Sequence, residues 1–189
     1  MLLNFLATIL KALLNPQKKE VKELPKEEPK KIENNMEIDW NNPEAKISKY
    51  FKVKEALLLP SWGILHIPSE EEKKNILEMA KKMDEIRELI GLPISVHCWG
   101  RPTSVNCPGS KFHGADYNAF VKGSKTSAHR SFKAVDWSAK GKTCDQSRAI
   151  LEPKLEQLNI RMEYAPGTNW VHTDIDPASK SGGRRYFKV

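Results

Sequence analysis

Residues 126–138 read TSAHRSFKAVDWS, and the way this run folds decides the rest. His129 and Asp136 stand seven residues apart. On one helix their Cα atoms would be separated by roughly 10 Å along the axis, too far for both to reach a single ion. A loop carrying His129 that turns into a strand carrying Asp136 removes that separation, and AVDWS at 134–138 has the small, β-branched and aromatic residues of a short strand. The run is therefore read as loop followed by strand.

Working outward, ISVHCW at 94–99 reads as a second strand, and the Gly/Ser/Asn-rich stretch from Arg101 to Ser131 reads mostly as loop. Loops of that length inside a compact domain usually have a job. Upstream, Ser69 with Glu72 forms a capping box ahead of Ile76, Leu77, Ala80, Met83, Ile86 and Ile90, a helical apolar stripe that stops at Gly91 and Pro93. Downstream, a helix is expected from about Asp145 to Leu158, disturbed at Pro153. RMEYA and WVHTDI then flank PGTN, a turn-favouring sequence, and predict a closing hairpin. The expected fold class is α+β, a small antiparallel sheet flanked by helices, in one domain spanning 36–189.

Two segments precede that domain. Residues 1–15, MLLNFLATILKALLN, confine Asn4, Thr8, Lys11 and Asn15 to one stripe and predict an amphipathic helix. It is shorter than the ~20 apolar residues of a membrane span, so peripheral membrane or partner contact, packing on the domain and a weak export signal are all open. Residues 16–35, rich in Lys, Glu and Pro, predict a solvated linker. The chain carries 31 Lys and Arg against 24 Asp and Glu, a formal charge of +7. That balance favours polyanions without choosing among them, and a nucleic-acid role rests on nothing else. Three cysteines, Cys98, Cys107 and Cys144, are too few for a disulfide scaffold. Cys98 and Cys107 could close a small loop or remain reduced.

The hairpin can be built explicitly. If Ala165 pairs with Trp170, Tyr164 faces Val171 and Glu163 faces His172, with Asp174 further along the same face. His172 then joins His129 and Asp136 as a third donor. Two imidazoles and one carboxylate fill three zinc positions and leave the fourth for water, and Glu163 is placed to move that water's proton. Spacing alone is weak support, because an isolated histidine in a short strand is more often a hydrogen-bonded structural residue than a ligand. His66, His97 and His113 are read as structural or surface residues, and Trp99, Trp137 and Trp170 as core or groove.

Ser127, His129, Ala134 and Asp136 stand as SxHxxxxAxD and, with WVH at 170–172, resemble the zinc D-alanyl-D-alanine carboxypeptidase family. That family includes vancomycin-resistance dipeptidases and phage peptidoglycan endopeptidases. IRELIGLP, CWGRP and YNAFVKGSKTSAH resemble the section leading into its first zinc ligand, and the resemblance covers about residues 38–178. It implies Zn2+ held by His129, Asp136 and His172, peptidoglycan stem peptides as substrate, action at the bacterial cell wall, and substrate or transition-state contact by Arg101. The chain departs from the pattern twice. Phe132 stands where the family's SxHxxGxAxD has Gly, so a different loop shape is expected there. Asn169 stands where many members carry the catalytic Glu of ExWH; Glu163 is therefore assigned the base, with Asp174 in reserve. The expected activity is a zinc peptidoglycan peptidase. The alternative is a zinc-stabilised module that binds wall peptides, or forms part of a virion, without cutting.

Overall fold

The computed structural model describes residues 37–188; the amphipathic segment 1–15 and the linker 16–35 lie outside the described residues. The longest helix explains much of the core. Ser69 caps it by accepting from the Glu72 backbone N–H, Glu72 reaches back, and Gly91 at φ 71° ends it, so the helix runs Glu70–Ile90. Ile76, Met79, Ala80, Met83, Ile86 and Ile90 form its buried face, and each larger side chain contributes roughly 1.5–3 kcal/mol by leaving water. Leu77, expected in that stripe, is only partly buried; Met79 takes the deeper position. Among the described residues no helix is long and apolar enough to cross a membrane.

In chain order the helices are α1 (Val53–Leu57), α2 (Glu70–Ile90), α3 (Tyr117–Phe120), α4 (Cys144–Leu151) and α5 (Leu155–Leu158). The strands are β1 (Leu58–Leu59), β2 (Ile64–Leu65), β3 (Ile94–Cys98), β4 (Ala134–Ala139), β5 (Arg161–Glu163), β6 (Val171–Asp174) and β7 (Tyr186–Phe187). β1 and β2 form a small hairpin, and the other five make one sheet in the order β3-β4-β6-β5-β7. Its ladders are antiparallel except the last, where β7 joins β5 in parallel. The architecture is α+β, as expected. The helix expected over 145–158 is broken where Pro153 removes an N–H, and a 3-10 turn, Glu152–Lys154, separates α4 from α5.

Alternation along the strands separates the two faces of the sheet. Val135, Trp137, Val171 and Met162 are fully buried in the core shared with α2, where Trp137 Nε1 donates to Thr173 Oγ1 at 3.1 Å. Asp136, His172 and Glu163 point to the opposite face. The hairpin adopts the expected register: Arg161 pairs with Asp174 and Met162 with Thr173, which sets Glu163 opposite His172. The ladder ends there, so Ala165 and Trp170, expected as its outermost pair, lie in the connecting segment. That tip is held from α4. Arg148, almost fully buried, donates to Asp145 Oδ1, to Thr168 Oγ1 and to the Trp170 carbonyl.

Phe132, which stands at the position of the family's Gly, has a strained backbone. It adopts the left-handed conformation, φ 60° and ψ 22°, at a cost of roughly 1–2 kcal/mol. Its ring, fully buried, fills the space a side chain at residue 100 would need. A Cβ built on Gly100 would lie 1.9 Å from Phe132 Cε1. The expected result for Gly100→Ala is a loss of about 1–3 kcal/mol in urea unfolding. In a Phe132→Ala background the same change should cost nearly nothing, a coupling that a double-mutant cycle measures.

Candidate metal centre

The site is one rung of the sheet with a turn above it. Asp136 pairs with Cys98 on one side and with His172 on the other. Glu163 follows, and pairs in turn with Phe187. A register shift between Val96 and Cys98 brings Cys98 onto this rung. His129 comes from the 3-10 turn Ala128–Ser131, which Ser127 caps. Three further contacts pin that turn. The Arg101 backbone N–H donates to the His129 carbonyl at 2.8 Å, Asn75 on α2 donates to the Ser131 carbonyl at 2.9 Å, and Trp99 Nε1 donates to the Phe132 carbonyl at 3.3 Å.

The result is a tight triangle of donor atoms. His129 Nε2 lies 3.1 Å from Asp136 Oδ1 and 3.1 Å from His172 Nδ1, and His172 Nδ1 lies 2.9 Å from Asp136 Oδ1. Each imidazole is fixed from behind. His129 Nδ1 sits 2.7 Å from the Trp99 carbonyl, and His172 Nε2 sits 3.1 Å from Asp174 Oδ2. A carbonyl and a carboxylate accept only, so both far nitrogens carry the hydrogen. When both imidazoles are neutral, the near nitrogens and Asp136 Oδ1 present lone pairs to one another, and either a shared cation or a proton on His172 Nδ1 satisfies them.

The electrostatics describe the triangle without an ion. Burial pushes His129 below its ordinary value despite Asp136 beside it, which keeps it neutral. Burial alone would raise the Asp136 carboxyl, but His129 and His172 hold it well below the usual carboxylate range. Burial opposes charge on His172, yet its hydrogen bonds to Asp136 and Asp174 push it up to about 9. Without a metal, a proton on His172 does the work of the cation. Cys98 belongs to the neighbourhood as well: one donor atom each from Cys98, His129 and Asp136 falls within 4.8 Å, a group that could hold a metal ion. The His129, Asp136 and His172 atoms converge more closely. Burial pushes the Cys98 thiol up, so it is not a ready anionic donor.

Arg101 does not stand apart as a substrate anchor. Its Nη2 donates to Asp136 Oδ2 and its Nε to Cys98 Sγ at 3.4 Å, so it orients Asp136 first. Asp174 is also placed differently from the free base held in reserve. It is fully buried, accepts from Arg161 Nε at 2.8 Å and Nη2 at 3.0 Å, and receives His172. With both oxygens engaged it has no accessible lone pair for a water's proton; it positions a histidine. Both carboxylates line an open cleft of about 600 Å3 with Arg101, His129, Asp136 and His172, but Glu163 is only partly buried there whereas Asp174 is fully buried.

Sequence reading missed Arg161 as the partner of Asp174, although the register that opposes Glu163 to His172 also opposes this pair. It missed the contact of Cys98 with Arg101, which depends on the bulge in β3. His66 meets Glu72 at 3.1 Å, His97 meets Ser138 at 2.8 Å and His113 accepts from the Cys107 backbone, so all three have structural partners. Trp99 and Trp137 are core; Trp170 lines the cleft. The three cysteines are free.

Asp174→Asn is expected to weaken metal binding about 10- to 100-fold by loosening His172. It also removes the charge of the carboxylate that pairs with Arg161, leaving only Asp176 at 3.6 Å, so a chelator-competition titration should be read alongside an unfolding curve. Unchanged affinity would remove Asp174 from the site. Comparison of the chain with protein-family models, with curated proteins and with solved structures returned no match, so function rests on this geometry and on the motif.

Proposed function

We propose that the chain is a zinc-dependent peptidoglycan peptidase, with His129, Asp136 and His172 as ligands and Glu163 as the group that moves the proton. The observation that carries this reading is the triangle of lone pairs at the floor of an open cleft. Two imidazoles and a carboxylate are a donor set that zinc accepts while keeping a fourth position free. Bonds of about 2.0–2.1 Å in a tetrahedron put donors about 3.3 Å apart, and the observed edges of 2.9–3.1 Å need open by only a few tenths of an ångström. When bound, zinc supplies Lewis acidity and lowers a water's pKa towards ~7.

The chain's own residues do the rest. Glu163, opposite His172 on the rung, takes the water's proton and returns it to the leaving amine. Arg101 holds Asp136 in place, and its Nη1 remains as a donor for a substrate oxygen. Lys122 and Lys188 add positive charge to a cleft wall where Arg101 is paired with Asp136 and Lys180 with Asp176, which suits the acidic stem peptides implied by the resemblance in SxHxxxxAxD and WVH.

A second reading is favoured by Cys98. If its thiol moved the short way to the ion, the site would have four protein ligands, the closed form of a structural centre, in a module that binds wall peptides without cutting them. Metal analysis and peptidoglycan digestion on one purified sample decide between the two. Bound zinc with new amine ends identified by mass spectrometry is the expected outcome. Zinc without cleavage, together with a thiolate charge-transfer band in the cobalt-substituted protein that Cys98→Ser removes, would establish the second reading. Absence of bound zinc would sink both.

A further inference from the structure

Resting on that reading, the cleft wall also identifies the residue that senses charge on a bound peptide. Five Lys and Arg side chains line the cleft, and four are already engaged. Arg101 is paired with Asp136, Arg161 with Asp174 and Lys180 with Asp176. Lys188 sets its ammonium over the Tyr164 ring, 4.8 Å from its centre. Lys122 is exposed and, among the described residues, has no carboxylate within ion-pair distance. A solvated lysine is ordinary, but the backbone beneath this one is not. Lys122 has φ 57°, a left-handed conformation that few residues other than Gly, Asn and Asp adopt, although a glycine stands at the very next position.

That conformation is imposed from below. The Lys122 backbone N–H donates to the Ala119 carbonyl at 3.0 Å and the Gly123 N–H to the Asn118 carbonyl at 2.8 Å. The Asn118 side chain, only 3% exposed, donates through Nδ2 to the Gly123 carbonyl at 3.2 Å and the Ser124 carbonyl at 3.1 Å. Its Oδ1 receives no donor and lies against the Gly123 backbone, where an added Cβ would come within 2.2 Å. A buried acceptor without a donor is rare and calls for a reason. Here the carboxamide is spent on bracketing two successive carbonyls of the cleft wall. Its own base is rigid, because the Tyr117 N–H donates to the Pro102 carbonyl at 3.0 Å and the Tyr117 hydroxyl accepts from the Ser61 N–H at 3.0 Å. Binding a ligand at Lys122 therefore orders little beyond its side chain.

We infer that Lys122 is a specificity-determining residue that takes a carboxylate of the bound peptide, with Asn118 as the positioning residue that holds it. Arg101, to which the family resemblance assigns substrate contact, has its charge balanced by Asp136 and its Nε turned to Cys98, so the unpaired cation of this cleft wall stands one loop away. A lysine ammonium is a compact charge on a flexible stem. It accepts a carboxylate from either of two sources, the end of the peptide or an acidic residue within it.

The test measures binding by calorimetry to the zinc-loaded full chain carrying Glu163→Gln, so that nothing is cut. Three probes are compared: a wall stem pentapeptide, the same peptide with its terminal carboxylate amidated, and the peptide with its internal carboxylates amidated. One of the two amidations should weaken binding about three- to tenfold, between the worth of an exposed ion pair and that of a buried charged hydrogen bond, and which one it is names the source. Adding Lys122→Met should abolish that discrimination, Lys122→Arg should keep most of it, and both should leave zinc content unchanged. Asn118→Ala should reduce the discrimination with Lys122 still in place, whereas a purely structural role would weaken all three probes alike. Equal discrimination with and without Lys122, or no binding of any probe, would overturn the inference. Cleavage is scored separately on the chain with Glu163 intact: its absence would sink the peptidase reading while the binding result for Lys122 stood by itself.

Discussion

Asp136→Ala is expected to strip the metal centre. Asp136 is the only anionic member of the triangle, it is buried beside His129 and His172, and Arg101 is bound to its second oxygen. Four-ligand zinc sites hold their ion with apparent free energies of about 10–16 kcal/mol. Loss of one ligand therefore removes roughly 3–4 kcal/mol, a 10²- to 10³-fold weaker affinity, before the change in charge is counted. The variant also leaves Arg101 without its carboxylate in a partly buried place, so folding should weaken too. Chelator competition and metal analysis measure the first effect, and thermal unfolding with and without added zinc the second. Native protein should gain stability on adding zinc and the variant should not. Equal zinc content in the two proteins would disprove the ligand assignment.

Glu163→Gln should separate chemistry from binding. Glu163 touches none of the three donor atoms within hydrogen-bond distance, so its amide analogue should retain the metal. Removal of a positioned general base typically costs 10²–10⁴ in rate, and the loss should fall on kcat with KM little changed. A variant that keeps its zinc and its rate would show that another group carries the proton. Asp174 is not that group while both of its oxygens are held by Arg161 and His172.

Much of this was legible in the chain because the informative signals were local. The capping box at Ser69 and Glu72 and the stop at Gly91 fixed both ends of α2. AVDWS was legible as a strand, and the pairing assumed across the PGTN turn, Ala165 with Trp170, gave the register that opposes Glu163 to His172. What the chain did not disclose depends on contacts between distant segments. The Trp99 carbonyl behind His129 is reached only once β3 has packed beside the 128–131 turn. Cys98 joins the rung through a bulge that no turn residue announces. Phe132 was read as an obstacle to the glycine conformation, and its compatibility became visible only with Gly100 beneath its ring.

The alignment of Cys98, Asp136, His172, Glu163 and Phe187 on a single rung has a consequence for how the protein reaches its native state. Side chains alternate between the faces of a strand, so β4 and β6 paired one residue out of step would put Asp136 and His172 on opposite faces. On the proposed reading, a mispaired sheet could not retain an ion that the correct pairing would hold through Asp136 and His172 together with His129 from the turn. Zinc added during refolding would therefore act as a proofreader of strand pairing. It would leave misregistered chains free to unpair and trap those whose ladder is right, so the yield of native protein should depend on when the ion is supplied as well as on how much.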